Sequence, residues 1–166
     1  MAQIRGTNGD NPILIGTAGD TYLGGDGNDT YILDPSTVQQ GDTININDNQ
    51  GDNTLRLTGG LEIQSSQVLS DQLQVTLSNG TEVFVQGADN FNYEVGGTAT
   101  GGSAPKDFQT FVQDDLGTTV PGPNDNQTTG GQVNIPASTD QGQPAQFTLT
   151  ESASSVDEGG NVTFTV

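Results

Sequence analysis

The sequence predicts an all-β fold: a short coil of nonapeptide repeats, capped by antiparallel hairpins and one short helix. Three observations carry that prediction. A Gly- and Asp-rich nine-residue pattern runs in tandem from Gly6 to Ile32. Period-two apolar alternation then continues from Asp42 to Val95, and a single stretch with helical spacing follows between Ser103 and Pro121.

Written in nines, the first stretch reads GTNGDNPIL, IGTAGDTYL and GGDGNDTYI. Position four is Gly9, Ala18 and Gly27, position six is Asn11, Asp20 and Asp29, and position eight is Ile13, Tyr22 and Tyr31. The third unit fits GGxGxDxUx, with U a large apolar residue, at all five specified positions; the first two are degraded but in phase. The leading six residues combine Gly, which tolerates positive φ, with Asn and Asp, which also tolerate it and offer oxygen. That half turns. The last three form a short strand whose large eighth residue points inward. Turn plus strand, repeated, winds the chain into two stacked sheets with two repeats per coil. Turns 18 residues apart then lie above one another on one edge. Their carbonyls and position-six carboxylates converge on the gap between them, which suits a Ca²⁺ taking about 6–8 oxygens at about 2.3–2.6 Å.

These residues resemble the RTX family of haemolysin-type calcium-binding repeats, whose fold is the parallel β-roll. The resemblance implies a short parallel β-roll with Ca²⁺ held by position-six side chains and turn carbonyls. On that basis the side-chain ligands are Asp29, Asp20 and Asn11. The carbonyls come from Asn8, Thr17, Gly24, Asp26 and Gly27. The chain departs from the family pattern in two places. Asn11 is neutral where the pattern wants Asp, so a site between turns 6–11 and 24–29 has one charge fewer. On the other edge, the unit after Ile32 begins LDPSTV and puts Val38 where Asp is needed. One good site and one partial site are expected.

Downstream the nonapeptide phase dissolves. Asp42-Thr-Ile-Asn-Ile and Asn53-Thr-Leu-Arg-Leu echo the repeats and read as looser coils, separated by an acidic turn from Asn47 to Asp52. Gly59-Gly60 reads as a hairpin joining Leu55–Leu57 to Leu61–Ile63. A second hairpin is predicted where Leu73, Val75 and Leu77 alternate, Ser78-Asn79-Gly80 turns, and Val83 and Val85 alternate back. Phe91, Tyr93 and Val95 give one more strand. Three repeats cannot cover the open end of a coil, so these hairpins are read as its cap. In the helical stretch, Ser103 is the expected N-cap, Pro105 suits the first turn, and Gly117 closes the helix. Phe108, Phe111, Val112 and Leu116 fall on one face that packs on the coil. Asp114-Asp115 near the C-terminus opposes the macrodipole.

Residues 1–121 are therefore read as the coil with its cap, and 122–145, rich in Pro, Gly, Asn, Gln and Thr, as a flexible linker. Residues 146–166 alternate like strands and break at Asp157-Glu158-Gly159-Gly160. That stretch resembles the opening of a Calx-β or immunoglobulin-like repeat. Such a sandwich needs about 100 residues, so the chain reads as part of a longer multidomain protein.

Composition narrows the function. The 166 residues hold 21 acidic and 3 basic side chains, a net charge of −18, with no His, Cys or Trp. No positive surface exists to neutralise phosphates, which excludes nucleic acid and anionic membranes as partners. Without Cys there are no disulfides or thiolate sites, and without His no imidazole base or imidazole-bound zinc. Only 30% of residues are hydrophobic, a composition near the disordered boundary unless something neutralises the charge. Oxygen ligands are in excess, so hard divalent cations are the expected partner. Eight of the sixteen Asp fall in the first 52 residues.

Catalysis is not expected. The acids sit in Gly-rich turns without a cleft to raise one pKa for glycoside hydrolysis. A Ser triad lacks its His, and no G-x-S-x-G occurs. Asp34-Pro35 reads as a strand end and turn rather than a self-cleavage site. No run approaches the ~20 apolar residues of a membrane helix, and Met1 to Asp10 lacks the apolar core of a signal peptide. The resemblance implies type I export through a signal beyond Val166, to an extracellular or cell-surface location. The expected function is a calcium-binding module that folds on Ca²⁺ and serves a structural or adhesive role. The alternative is a non-catalytic appendage of a secreted protease or lipase.

Overall fold

Each repeat turns where Gly and Asn permit it and then extends for three to five residues. The computed structural model describes residues 2–16, 19–60, 62–96 and 104–133, with the backbone of 150–151 and 164–165. Its strands are β1 Gln3–Arg5, β2 Pro12–Ile15, β3 Thr21–Leu23, β4 Thr30–Leu33, β5 Thr43–Asn47, β6 Asn53–Leu57, β7 Ile63–Val68, β8 Gln72–Leu77, β9 Glu82–Gln86, β10 Phe91–Val95, β11 Lys106–Asp107 and β12 Thr128–Gly130. Helix α1, Phe108–Asp114, directly follows β11. Strands β13 (Thr150–Glu151) and β14 (Phe164–Thr165) pair antiparallel with each other, within the range read as the start of a sandwich.

The architecture is all-β with one short helix. Through β6, successive strands alternate between two sheets, ordered β1-β3-β5-β9-β8-β7-β12 and β11-β10-β6-β4-β2. From coil to coil the pairing is parallel: β1 with β3, β3 with β5 and β5 with β9, and β2 with β4, β4 with β6 and β6 with β10. The first step is 18 residues, placing Asn11 against Asp29; the next is 24, placing Asp29 against Asn53. Strand β6 repeats β4 in register, with Tyr31 opposite Leu55. Strand β5 is slipped by two residues from its echo of β3, so Tyr22 meets Ile46 rather than Ile44. A two-residue slip keeps every side chain on its face, and Tyr22, Ile44 and Ile46 are all buried.

Inward residues at alternate positions fill the space between the sheets: Tyr22, Tyr31, Leu55, Leu57, Val83 and Val85 are each at most 2% exposed. Burial of such side chains stabilises by about 1.5–3 kcal/mol each. Val38, in the slot where the repeat wants Asp, is part of this core.

Four expectations are corrected. Gly59-Gly60 does not make a hairpin, because β6 and β7 lie in different sheets. The predicted β8–β9 hairpin forms, turning through Gly80 at φ +81°, but it is no separate cap. Strand β9 belongs to the parallel stack, and β8 and β7 extend the same sheet beyond it.

The helix starts later than predicted. Tyr93 and Asn92 first pair with Lys106 and Asp107, which keeps that stretch extended. Asp107 then caps α1, accepting from the Thr110 amide at 2.8 Å and the Thr110 hydroxyl at 3.0 Å; Ser103 lies outside the described residues. Gly117, at φ +65°, ends the turn after the helix. Phe108, Phe111, Val112 and Leu116 are buried as expected, with Phe111 stacked on Tyr93 at 4.4 Å between centroids. Lys106 answers the acidic helix end by donating to both Asp115 oxygens at 2.8 and 2.9 Å.

The stretch read as a linker is also part of the sheet at its start. Strand β12 pairs antiparallel with β7, and Val133 bridges to Ile63 and is 7% exposed. The remainder of that range, 134–145, lies outside the described residues.

Candidate cation site at the stacked turns

The turns 6–11, 24–29 and 48–53 stack on one edge of the coil, and their side chains link them in two ladders. At the sixth position, Asp29 accepts from the Asn11 amide at 2.8 Å, and Asn53 accepts from the Asp29 amide at 2.9 Å. At the fifth position the direction reverses. Asp10 accepts from the Asn28 amide, and Asn28 accepts from the Asp52 amide, both at 2.8 Å. Turn amides that strand pairing leaves over are thus satisfied by the coil above or below. Close stacking demands Gly at 27 and 51: a Cβ on Gly27 would strike the Gly9 backbone, and one on Gly51 would strike the Gly27 carbonyl, whereas Gly9, on the outermost turn, has open space.

Inside these ladders lies an electrostatic conflict. Asp29 is 1% exposed and Asp48 is 4% exposed. Asp48 Oδ2 accepts from the Tyr31 hydroxyl at 2.8 Å and its Oδ1 from the Gln50 amide at 3.2 Å. Asp29 Oδ1 is used by Asn11, but Asp29 Oδ2 is buried and, while ionised, meets no donor among the described residues; only a proton shared with Asp48 would bond it. A Cβ on Gly24 would collide with both Asp29 Oδ2 and Asp48 Oδ2. The two carboxylates therefore converge on one point beside Gly24, with their oxygens within about 4 Å, where like charges at an effective dielectric near 20 repel by about 4 kcal/mol.

Titration behaviour reflects this. Burial raises the Asp29 carboxyl above its ordinary value against the pull of the Asn11 amide, and the charge of Asp48, a carboxyl–carboxylate hydrogen bond to it and the charge of Asp10 raise it further. Burial, then the bond to Asp48, raises the Tyr31 hydroxyl, so it remains a donor.

The residues singled out from the sequence divide between places. Gly24 and Asp29 meet at the converging pair. Gly27 stacks under Gly51, while Asn8 and Asp26 are exposed in their turns. The Asn11 side chain is engaged within its own turn with Thr7, and only its amide reaches Asp29. Asp20 lies on the opposite edge, 6% exposed, and accepts from the Ala2 amide at 2.6 Å. Thr17 lies outside the described residues.

Asp48 was missed. Its signal is faint, because DNQGDN aligns with GGDGND only when a 24-residue step is allowed. In that alignment Asp48 occupies position one, where the repeat has Gly. Among the described residues no group of three or more acidic side chains gathers around one point. A cation here would be held by two carboxylates, with carbonyl oxygens of the turns completing its shell. Two buried carboxylate oxygens facing one another, one of them without a donor, fit a hard divalent ion. Comparison of the chain with protein-family models, curated proteins and solved structures finds no match.

Proposed function

We propose that the chain is a calcium-binding β-roll module of the RTX type, without catalytic activity, that folds on Ca²⁺ binding and serves a structural or adhesive role outside the cell. The observation that carries this reading is Asp29 Oδ2, buried, without a donor for its ionised form among the described residues, and facing Asp48. Two buried like charges oppose closure of the stacked turns. A divalent cation between them turns the repulsion into attraction, so binding free energy becomes folding free energy. Asp29 and Asp48 supply the charged oxygens, and Tyr31 holds Asp48 in place. An extracellular location suits a site of this charge, since weak calcium modules are filled only at about millimolar Ca²⁺. The strand-like stretch after the coil favours a multidomain adhesive protein over an enzyme appendage.

Circular dichroism during a calcium titration tests the reading. Strand signal should rise between micromolar and about 10 mM Ca²⁺, and Mg²⁺ should be a poor substitute. Asp29→Ala should shift the midpoint upward far more than Asp125→Ala, whose exposed carboxylate only accepts from the Gly122 amide. Equal shifts, or no calcium response, refute it.

A further inference from the structure

The outer face of the seven-stranded sheet is unlike the rest of this chain. Facing positions cross the sheet in one register: Gln3, Thr21, Asn45, Phe84, Gln74, Gln67 and Thr129 lie in line, one per strand. A second line runs through Asn47, Gln86 and Gln72. In a protein of net charge −18, the described outward strand positions of this sheet carry only Arg5 and Glu82 as charges. Half-buried Phe84 stands between two shallow depressions. One is lined by Gln67, Gln72, Gln74 and Gln127, and the other by Thr21, Asn45 and Asn47.

We infer that this face binds a neutral polysaccharide laid across the strands over Phe84. Primary amides offer donors and acceptors side by side, which matches sugar hydroxyls that do both. The apolar face of a pyranose ring packs on an aromatic ring, and the depressions on either side of Phe84 receive the neighbouring sugars. Charge selects the occupant. A polyanion is repelled by the protein as a whole, and a cationic partner finds only one carboxylate on the face. A protein partner would call for an apolar centre larger than one phenyl ring. This inference stands on the sheet face and not on the cation site.

Affinity electrophoresis of the full chain in calcium-containing gels tests it, with hydroxyethyl cellulose, galactomannan and dextran as neutral probes and hyaluronan as the anionic one. At least one neutral polymer should retard the chain, and hyaluronan should not. Phe84→Ala should weaken retardation about tenfold. Gln74→Glu keeps the side-chain shape but loses the amide donor, and should weaken it severalfold even if Phe84→Ala fails to fold. Absence of retardation by every neutral polymer overturns the proposal, as does equal retardation by hyaluronan or retention in both variants. A dimer in sedimentation that Phe84→Ala converts to monomer would make the face a self-interface and overturn it too.

Discussion

Asp48→Asn removes one of the two charges beside Gly24 while leaving an oxygen to accept from Tyr31. Its effect has opposite signs with and without calcium. Two carboxylates about 4 Å apart repel by about 4 kcal/mol at an effective dielectric near 20. Asp29 already relieves part of this by holding its proton more tightly, so neutralising Asp48 recovers less than the full ~4 kcal/mol. For a domain of this size each kcal/mol recovered raises the calcium-free Tm by about 2–4 °C. In calcium the variant loses one of the two carboxylates proposed to hold the ion, and its affinity should fall at least tenfold, about 1.4 kcal/mol. The separation between calcium-free and calcium-loaded Tm therefore shrinks from both sides. Thermal unfolding followed by circular dichroism, in calcium-stripped buffer and at about 10 mM Ca²⁺, reads both quantities. Asp26→Asn, at an exposed position of the neighbouring turn, should move neither by more than about 0.5 kcal/mol. A calcium-free Tm that falls in Asp48→Asn, or a calcium shift as large as in the parent chain, refutes opposed carboxylates as the origin of the proposed calcium requirement.

Two further outcomes are expected. Because the Asp29 carboxyl lies above its unfolded value of 3.8, the folded calcium-free chain binds the extra proton. Its contribution is fully present below pH 3.8 and is lost as pH rises through the folded value; Asp34, held low by Ser36 and Thr58 against its burial, acts in the opposite sense. Urea unfolding of Asp29→Asn in calcium-stripped buffer should accordingly show a gain over the parent that grows from acid toward neutral pH, and a pH-independent difference sinks the assignment. Gly41 and Gly51 share φ +77°, but a Cβ at Gly41 meets nothing within 4 Å whereas one at Gly51 strikes the Gly27 carbonyl. Gly41→Ala should cost about 1–2 kcal/mol from the backbone alone. Gly51→Ala should cost clearly more, and equal urea midpoints would show that the turns do not stack as closely as described.

The parts of the fold that were legible are those where one residue type has one physical use. Gly in the turn, at positive φ in Gly19, Gly25 and Gly27, with Asp or Asn beside it and a large apolar residue after it, marked turn, ladder and core for β2, β3 and β4. The same signs reached β5 and β6, yet the slip that sets Tyr22 against Ile46 was invisible, since a period of two is blind to a shift of two. Strand β7, reading IQSSQV with a register shift between Ile63 and Ser65, has too broken an alternation to be seen. Strand β12, reading TTG, has no apolar residue at all; backbone pairing to the β7 edge makes it a strand. The helix cap was misplaced because the antiparallel pairing of Lys106 and Asp107 with β10 is a long-range event. Asp29 was legible as a site residue from its place in the repeat, but Asp48 was not, because its turn arrives out of phase.

That phase change also explains why equivalent positions behave differently. Asp20 and Asp29 both occupy position six, and each uses one oxygen to accept the amide of the residue 18 places earlier. A position-six carboxylate thus spends one oxygen as a structural cap and keeps the second for other partners. The longer step from β4 to β6 sets what that second oxygen meets on one edge. It brings a turn that begins with Asp48 instead of Gly over Asp29, and turns the spare oxygen of a cap into half of a facing pair. The proposed cation requirement then belongs to the junction between regular and irregular coils. Replacing the 48–53 turn by a copy of 24–29 should leave the ladders intact and weaken the dependence on calcium, and a hybrid that still needs calcium as strongly as the parent would return the requirement to the repeat itself.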